Sequence, residues 1–215
     1  MIRKVIRNIK VLLSDFKVKV LFKGVRKLKK PALPENSDSK VLIHIGCGEL
    51  NDKRYINIDT RVMPHVHFIG TVFDVDKFFR KDYADLIYLC HVLEHVSHKK
   101  LDKTLKKLYS RIKPGGILRI SVPDFDAISK IYQKESSVES IVTPLMGGQG
   151  YQENYHCSVF NKDYLTKLLN EAGFEEVRQW DASRASYHAF DDWSKRKYIY
   201  NNKEWIISLN LEAVK

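Results

Sequence analysis

The sequence predicts an α/β fold, a doubly wound and mainly parallel seven-stranded sheet preceded by an N-terminal amphipathic helix. Three observations lead there. Short, almost wholly apolar runs recur from residue 41 onward, stretches with helical spacing lie between them, and the positive charge is gathered at the start of the chain. Runs too apolar to have a solvent-facing side must be covered on both faces, and their alternation with helices implies parallel strands.

Residues 1–30 carry eleven Lys or Arg against Asp15 alone, a net +10 out of the +11 of the whole chain. Ile2, Val5, Ile6, Ile9, Leu12, Leu13, Phe16 and Val20 recur at helical spacing, so a helix here presents an apolar stripe flanked by cations. Three partners suit such a helix: an anionic membrane surface, the chain's own domain or a second copy in a homodimer, and nucleic acid. The last is disfavoured because the remaining 185 residues are nearly neutral, at +1. Pro31 to Lys40 reads as a linker, since two prolines and small polar residues leave nothing to pack. Residues 41–215 then form a single domain.

Within that domain the expected strands are 41–45 (VLIHI), 55–58 (YINI), 65–69 (HVHFI), 85–89 (DLIYL) and 117–122 (ILRISV), completed by late strands near 175–181 and 205–214. A helix is expected from Ser97 to Arg111, with Leu101, Leu105 and Leu108 on one face and Lys113-Pro114-Gly115-Gly116 as its stop. A second runs from Asn161 to Ala172, ended by Gly173. At 215 residues, 44% hydrophobic and 29% charged, the chain is too apolar to be disordered. Cys47, Cys90 and Cys157 are odd in number and far apart, which suits a reducing, cytoplasmic compartment, and no apolar run approaches the roughly 18 residues of a membrane span.

In an open parallel sheet ligands sit beyond the carboxyl ends of the strands. After strand one come Gly46-Cys47-Gly48, where glycines permit a tight turn and close approach to a ligand. Strand two is followed by Asp59, a carboxylate placed to accept two ribose hydroxyls. Strand three leads to Asp74, and strand four to Cys90-His91-Val92-Leu93-Glu94-His95. Together they describe a nucleoside cleft.

Across residues 41–181 the chain resembles the class I S-adenosylmethionine-dependent methyltransferases. The resemblance lies in VLIHIGCG, YINID, ADLIYLCHVLEHV, LYSRIKPGGILRISVPD and LLNEAGF, in that order. It implies a Rossmann-like methyltransferase fold with S-adenosyl-L-methionine as cofactor. It further implies that Gly46 and Gly48, with Cys47 between them, face the cofactor's methionine portion, that Asp59 binds ribose, that Asp74 lies near the adenine, and that His91 and His95 stand on the cofactor side of strand four. His44 occupies the place where most members carry an acid that contacts the cofactor's amino group. That departure keeps open a different class of function, a binding or scaffold module with a closed cleft. Only nine residues, Gly46–Arg54, join strands one and two, so the crossover helix must be truncated. This short connection and the ending SLNLEAVK resemble a small bacterial branch associated with surface-polysaccharide pathways.

His91 to His95 also matches the H-x-x-E-H pattern of zinc peptidases. That motif needs a helix, whereas His91 follows almost directly on a strand, and the pattern leaves the nucleoside constellation unexplained; no metal is expected. For the methyl acceptor, the glycine, tyrosine and amide cluster 146–160 is a substrate loop in which His156 is the expected base, with His188 and Asp124 in reserve. Tyr151 and Tyr155 are either sugar-stacking or core residues. The expected acceptor is a hydroxyl of a sugar or other small polar molecule.

Overall fold

A computed structural model describes residues 31–215. The helix expected over 1–30 lies outside the described residues. Residues 31–40 are irregular but do pack: Asn36 Nδ2 donates to the carbonyls of Lys40 (2.8 Å) and Arg54 (3.0 Å), and the Tyr187 hydroxyl bonds Asp38.

Seven strands form one sheet. They are β1 (Leu42–Ile45), β2 (Tyr55–Asp59), β3 (Phe68–Ile69), β4 (Ala84–Cys90), β5 (Ile112–Pro123), β6 (Glu175–Gln179) and β9 (Ser208–Val214). Their order is β3-β2-β1-β4-β5-β9-β6; the first five are mutually parallel, while β9 runs antiparallel to both β5 and β6. The third strand is far shorter than the expected 65–69: the His67 amide still donates to the Asn57 carbonyl of β2 (2.8 Å), but the Asn57 amide is taken by the His67 ring at Nδ1 (2.9 Å) instead of by a strand carbonyl, which interrupts the ladder there. The last expected strand divides. Its first part joins an unforeseen hairpin, β7 (Lys197–Tyr200) with β8 (Lys203–Ile206), turned at Asn201-Asn202, where both residues adopt positive φ (49° and 59°). Two positive φ values are what a two-residue hairpin requires, and asparagine tolerates them.

Five α-helices follow the strands: α1 (Val75–Phe78), α2 (Leu101–Arg111), α3 (Phe125–Glu135), α4 (Glu139–Met146) and α5 (Lys162–Glu171). Ser97 does not cap α2 with its side chain; a 3-10 turn, His98–Lys100, intervenes. Asn161 does cap α5, accepting from the Tyr164 amide at 3.0 Å.

Because side chains alternate along a strand, Ile43 and Ile45 point to one face of the sheet while Leu42 and His44 point to the other. The first face packs against Leu101, Leu105 and Leu108 of α2 and Leu165 and Leu169 of α5. No helix separates β1 from β2 or β2 from β3, so the second face is closed differently. Leu42, Tyr55, Leu86 and Tyr88 lie beneath Trp180, Ala182, Tyr187 and Phe190, part of an irregular segment running from 180 to 194.

Candidate active site

Beyond the carboxyl ends of β1, β2 and β4 the chain leaves a cleft of about 360 Å³, walled by Gly46, Asp59, Thr71–Phe73, His91, Val92, His95, Tyr151 and Tyr155 among others. That volume suits a small-molecule cofactor. Gly46 has φ +69°, and a Cβ there would meet Val92 Cγ2 at 2.4 Å, so only glycine lets β1 turn under the ligand. Gly48, at φ +57°, aims its amide at Asp59 Oδ2 (2.8 Å), tying the β1 turn to the end of β2.

Asp59 is almost buried, and its other oxygen accepts from the Arg61 amide (2.9 Å) and Nε (3.0 Å). Burial raises the carboxyl's pKa, but the bonds from Arg61 and Gly48 outweigh it and hold Asp59 below the usual carboxylate range. Arg61 is more than half exposed, so its guanidinium can yield to ribose hydroxyls without losing a buried position.

The remaining expected residues fall in several places. Asp74 stands behind the cleft, where it closes a capping box with Thr71 and pairs with Lys77 at 2.7 Å; the Lys77 and Thr71 bonds lower its pKa to about 2. It shapes the loop that presents Thr71, Val72 and Phe73 and does not face the ligand space. Cys47 is core, and burial pushes its thiol up to about 12. His44 is not on the cleft wall. Strand alternation turns it to the second face, where it stacks on Phe190 (5.8 Å between centroids) and tilts against Tyr88, and burial lowers its pKa to about 4.

A second cavity of about 390 Å³ adjoins the first and shares His91, His95 and Tyr151 with it. Its further wall includes Glu94, Asn154, His156, Trp193, Tyr198 and Ile207. His156 is therefore at the site. Its pKa is lowered, by burial above all, which leaves a lone pair free at neutral pH. His188 and Asp124, the reserve bases, line neither cavity. His188 is locked in a buried network, with Nδ1 donating to the Ala182 carbonyl (2.8 Å) and Nε2 near Ser194, Tyr88 and Asp192. Asp124 caps α3 through the Asp126 amide (3.1 Å), and burial raises its pKa. Tyr151 and Tyr155 are exposed at the cleft mouth and belong to no core.

His91, directly after β4, has φ +51°, strained for a non-glycine residue, and Leu93–His95 form a 3-10 turn, so the helical geometry of a zinc peptidase is absent. Ser208 Oγ donates to the Trp193 carbonyl (2.6 Å) and therefore accepts from His91 Nε2 (2.9 Å), turning Nδ1 toward Glu94 Oε1 at 3.2 Å. Glu94 is 1% exposed; burial raises its pKa, but His91, His95 and His156 around it bring it below the ordinary value. Sequence reasoning missed Phe73, Arg61, Trp193 and Tyr198 as wall residues. Arg61, two residues after Asp59, carried a readable signal; Trp193 and Tyr198 arrive from a segment with no period.

Residues 19–179 match the family described as a methyltransferase domain. The chain is 31% identical over 116 residues to the ubiquinone/menaquinone biosynthesis C-methyltransferase of Haemophilus ducreyi, a stretch that spans 43% of that protein and 49% of this chain. Among solved structures it resembles a SAM-dependent methyltransferase from Archaeoglobus fulgidus (TM-score 0.53, 14% identity, 92% of this chain and 94% of that one). One from Thermotoga maritima is similar at TM-score 0.50 and 18% identity over 90% and 87% of the two chains. With the family match spanning most of the chain and the nucleoside cleft at the strand ends, the chain belongs to the methyltransferase domain family, of the class I type that uses S-adenosylmethionine.

Proposed function

We propose that this protein transfers the methyl group of S-adenosylmethionine to a hydroxyl of a sugar or similar small polar acceptor, in the cytoplasm and in the service of surface-glycan assembly. The observation that carries this reading is the second cavity. It opens onto the cofactor cleft through His91, His95 and Tyr151, and it mixes the rings of Trp193 and Tyr198 with the hydrogen-bonding groups of Asn154 and His156. Aromatic faces with polar groups at their edges suit a molecule that is apolar on its ring faces and hydroxylated at its rim.

The bound cofactor supplies a methyl group made electrophilic by its sulfonium. Gly46 keeps the floor of the cleft clear of side chains, Asp59 exchanges Arg61 for the ribose hydroxyls, and Phe73 and Val72 give apolar surface to the base. Removal of the acceptor's proton falls to the polar wall of the second cavity, where His156 Nε2 and Glu94 Oε1 stand 4.0 Å apart. The near-neutral net charge of residues 31–215 gives a nucleic-acid substrate little support. The +10 charge of residues 1–30 supports peripheral attachment to an anionic membrane, which holds the enzyme beside lipid-linked acceptors.

Calorimetry is expected to show S-adenosylmethionine binding that weakens by about 1.5–3 kcal/mol in Asp59→Ala, the size of a charge-assisted hydrogen bond. No binding by the unaltered chain would end the enzyme reading in favour of a scaffold. A screen of acceptor classes with methyl-labelled cofactor is expected to place the label on a glycan oxygen. Label in RNA, in protein, or on carbon, as the name of the Haemophilus ducreyi relative would suggest, overturns the acceptor assignment.

A further inference from the structure

We propose that Glu94, His95 and His156 hold a divalent transition-metal ion of the zinc class, whose open coordination position faces the second cavity and takes the acceptor's oxygen. One carboxylate and two imidazoles bring donor atoms within 4.8 Å of one another. A carboxylate with two imidazoles is the His₂Glu set of catalytic zinc sites, which keep a fourth position for substrate.

Three independent observations point to a cation there. Glu94 is 1% exposed and lines the second cavity, and neither oxygen has a hydrogen bond among the described residues; His91 Nδ1 stands 3.2 Å from Oε1, but with its Nε2–H given to Ser208 the neutral ring has no proton to offer there. A buried carboxylate in that condition is strongly unfavourable unless something positive meets it. His95 donates Nδ1–H to the Tyr155 carbonyl at 3.1 Å, and a carbonyl can only accept, so the lone pair of the neutral ring is on Nε2. Metal-bound histidines are oriented by such a bond from their other nitrogen. Finally, the loop bearing His156 is fastened to the turn bearing Glu94. The Cys157 and Ser158 amides donate to the Glu94 carbonyl (2.7 and 3.0 Å), and the His156 amide donates to Met146 (3.1 Å). The three donors are therefore preorganised although His156 lies 61 positions after His95.

This site differs from the peptidase pattern, in which both histidines of the run would be ligands and Glu94 the base. Its role in transfer rests on the acceptor reading above. With Glu94 and His156 engaged as ligands, the ion takes over their part in deprotonation: a hydroxyl bound to it is acidified. Its O–H proton passes to solvent, its oxygen bonds the methyl carbon, and the carbon–sulfur pair leaves with sulfur, turning the sulfonium into a neutral thioether.

The test is titration of the chelator-treated full chain with zinc chloride, with S-adenosylmethionine binding measured on the same samples. One zinc per chain is expected. Glu94→Gln and His156→Ala should each weaken it on the order of 100-fold while S-adenosylmethionine binding persists, and His98→Ala, at an exposed histidine outside the cluster, should change nothing. A chain that binds S-adenosylmethionine but no zinc overturns the proposal, as does zinc held equally well by the Glu94→Gln, His156→Ala double variant, an adventitious surface ion only. The titration involves no acceptor, so its failure leaves the acceptor assignment standing, and a failed acceptor screen with zinc bound leaves the metal site standing.

Discussion

The two faces of the sheet are closed by different means. On one, α2 and α5 lay Leu105, Leu108, Leu165 and Leu169 across Ile43, Ile45, Ile87 and Leu89. On the other, where the first two crossovers have no helix, residues 180–194 close the sheet with rings and a buried polar network. Asp192 there accepts from the Tyr88 hydroxyl at 2.6 Å and from the Ser194 amide at 2.9 Å. Helical cover works by area and is indifferent to pH. The irregular cover depends on named donors and acceptors, so it is specific, and it responds to acid.

The largest difference is expected from a cavity on the helical face. Leu105→Ala, at a fully buried position, should cost about 2–5 kcal/mol in denaturant unfolding, equally at pH 8 and pH 5. A marked pH dependence of that cost would break the comparison. Acid should act through the other face. His44 is held neutral down to about pH 4 against an ordinary 6.5, so the unfolded chain takes up a proton that the native state refuses. Stability is then full above pH 6.5 and falls by up to about 3 kcal/mol as the pH drops toward 4. Below that, Asp192 adds a second loss. Burial raises its pKa, but the bonds from His188, Ser194 and Tyr88 hold it well below the carboxylate range, a gain that disappears as acid protonates it. His44→Phe should flatten the pH 4–6.5 window; an unchanged slope would move the acid sensitivity elsewhere. The smallest effect is Tyr88→Phe, which removes one bond to Asp192 and should cost about 1.5 kcal/mol by thermal unfolding. A neutral result would mean that the network is held by packing alone.

The same division decides what could be read in advance. Leucines three and four apart announce α2 and α5, and apolar runs announce the strands, because each signal lies within a dozen neighbouring residues. The cover of the second face has no period. Its order comes from partners about a hundred positions away, as in Tyr88 with Asp192 and Tyr55 with the Tyr187 carbonyl. Gly46, Asp59, His91 and His95 were legible as cleft residues because topology sends the carboxyl ends of the parallel strands β1 to β5 to the same rim. Family position sends His44 to that rim, whereas alternation with Ile43 and Ile45 turns it to the other face of the sheet. Glu94 was visible in the motif, but its grouping with His156 depends on backbone bonds that no spacing displays.

The irregular cover also bears on the order of synthesis. β1 to β5 are all made before residues 180–194 exist, and β9, which sits between β5 and β6, is made later than either. Until then Leu42, Tyr55, Leu86 and Tyr88 present an apolar sheet face with no helix in the described chain to shield it. The nascent domain must therefore pass through a long interval with one side finished and the other adhesive, the condition in which emerging chains are captured by chaperones or by one another.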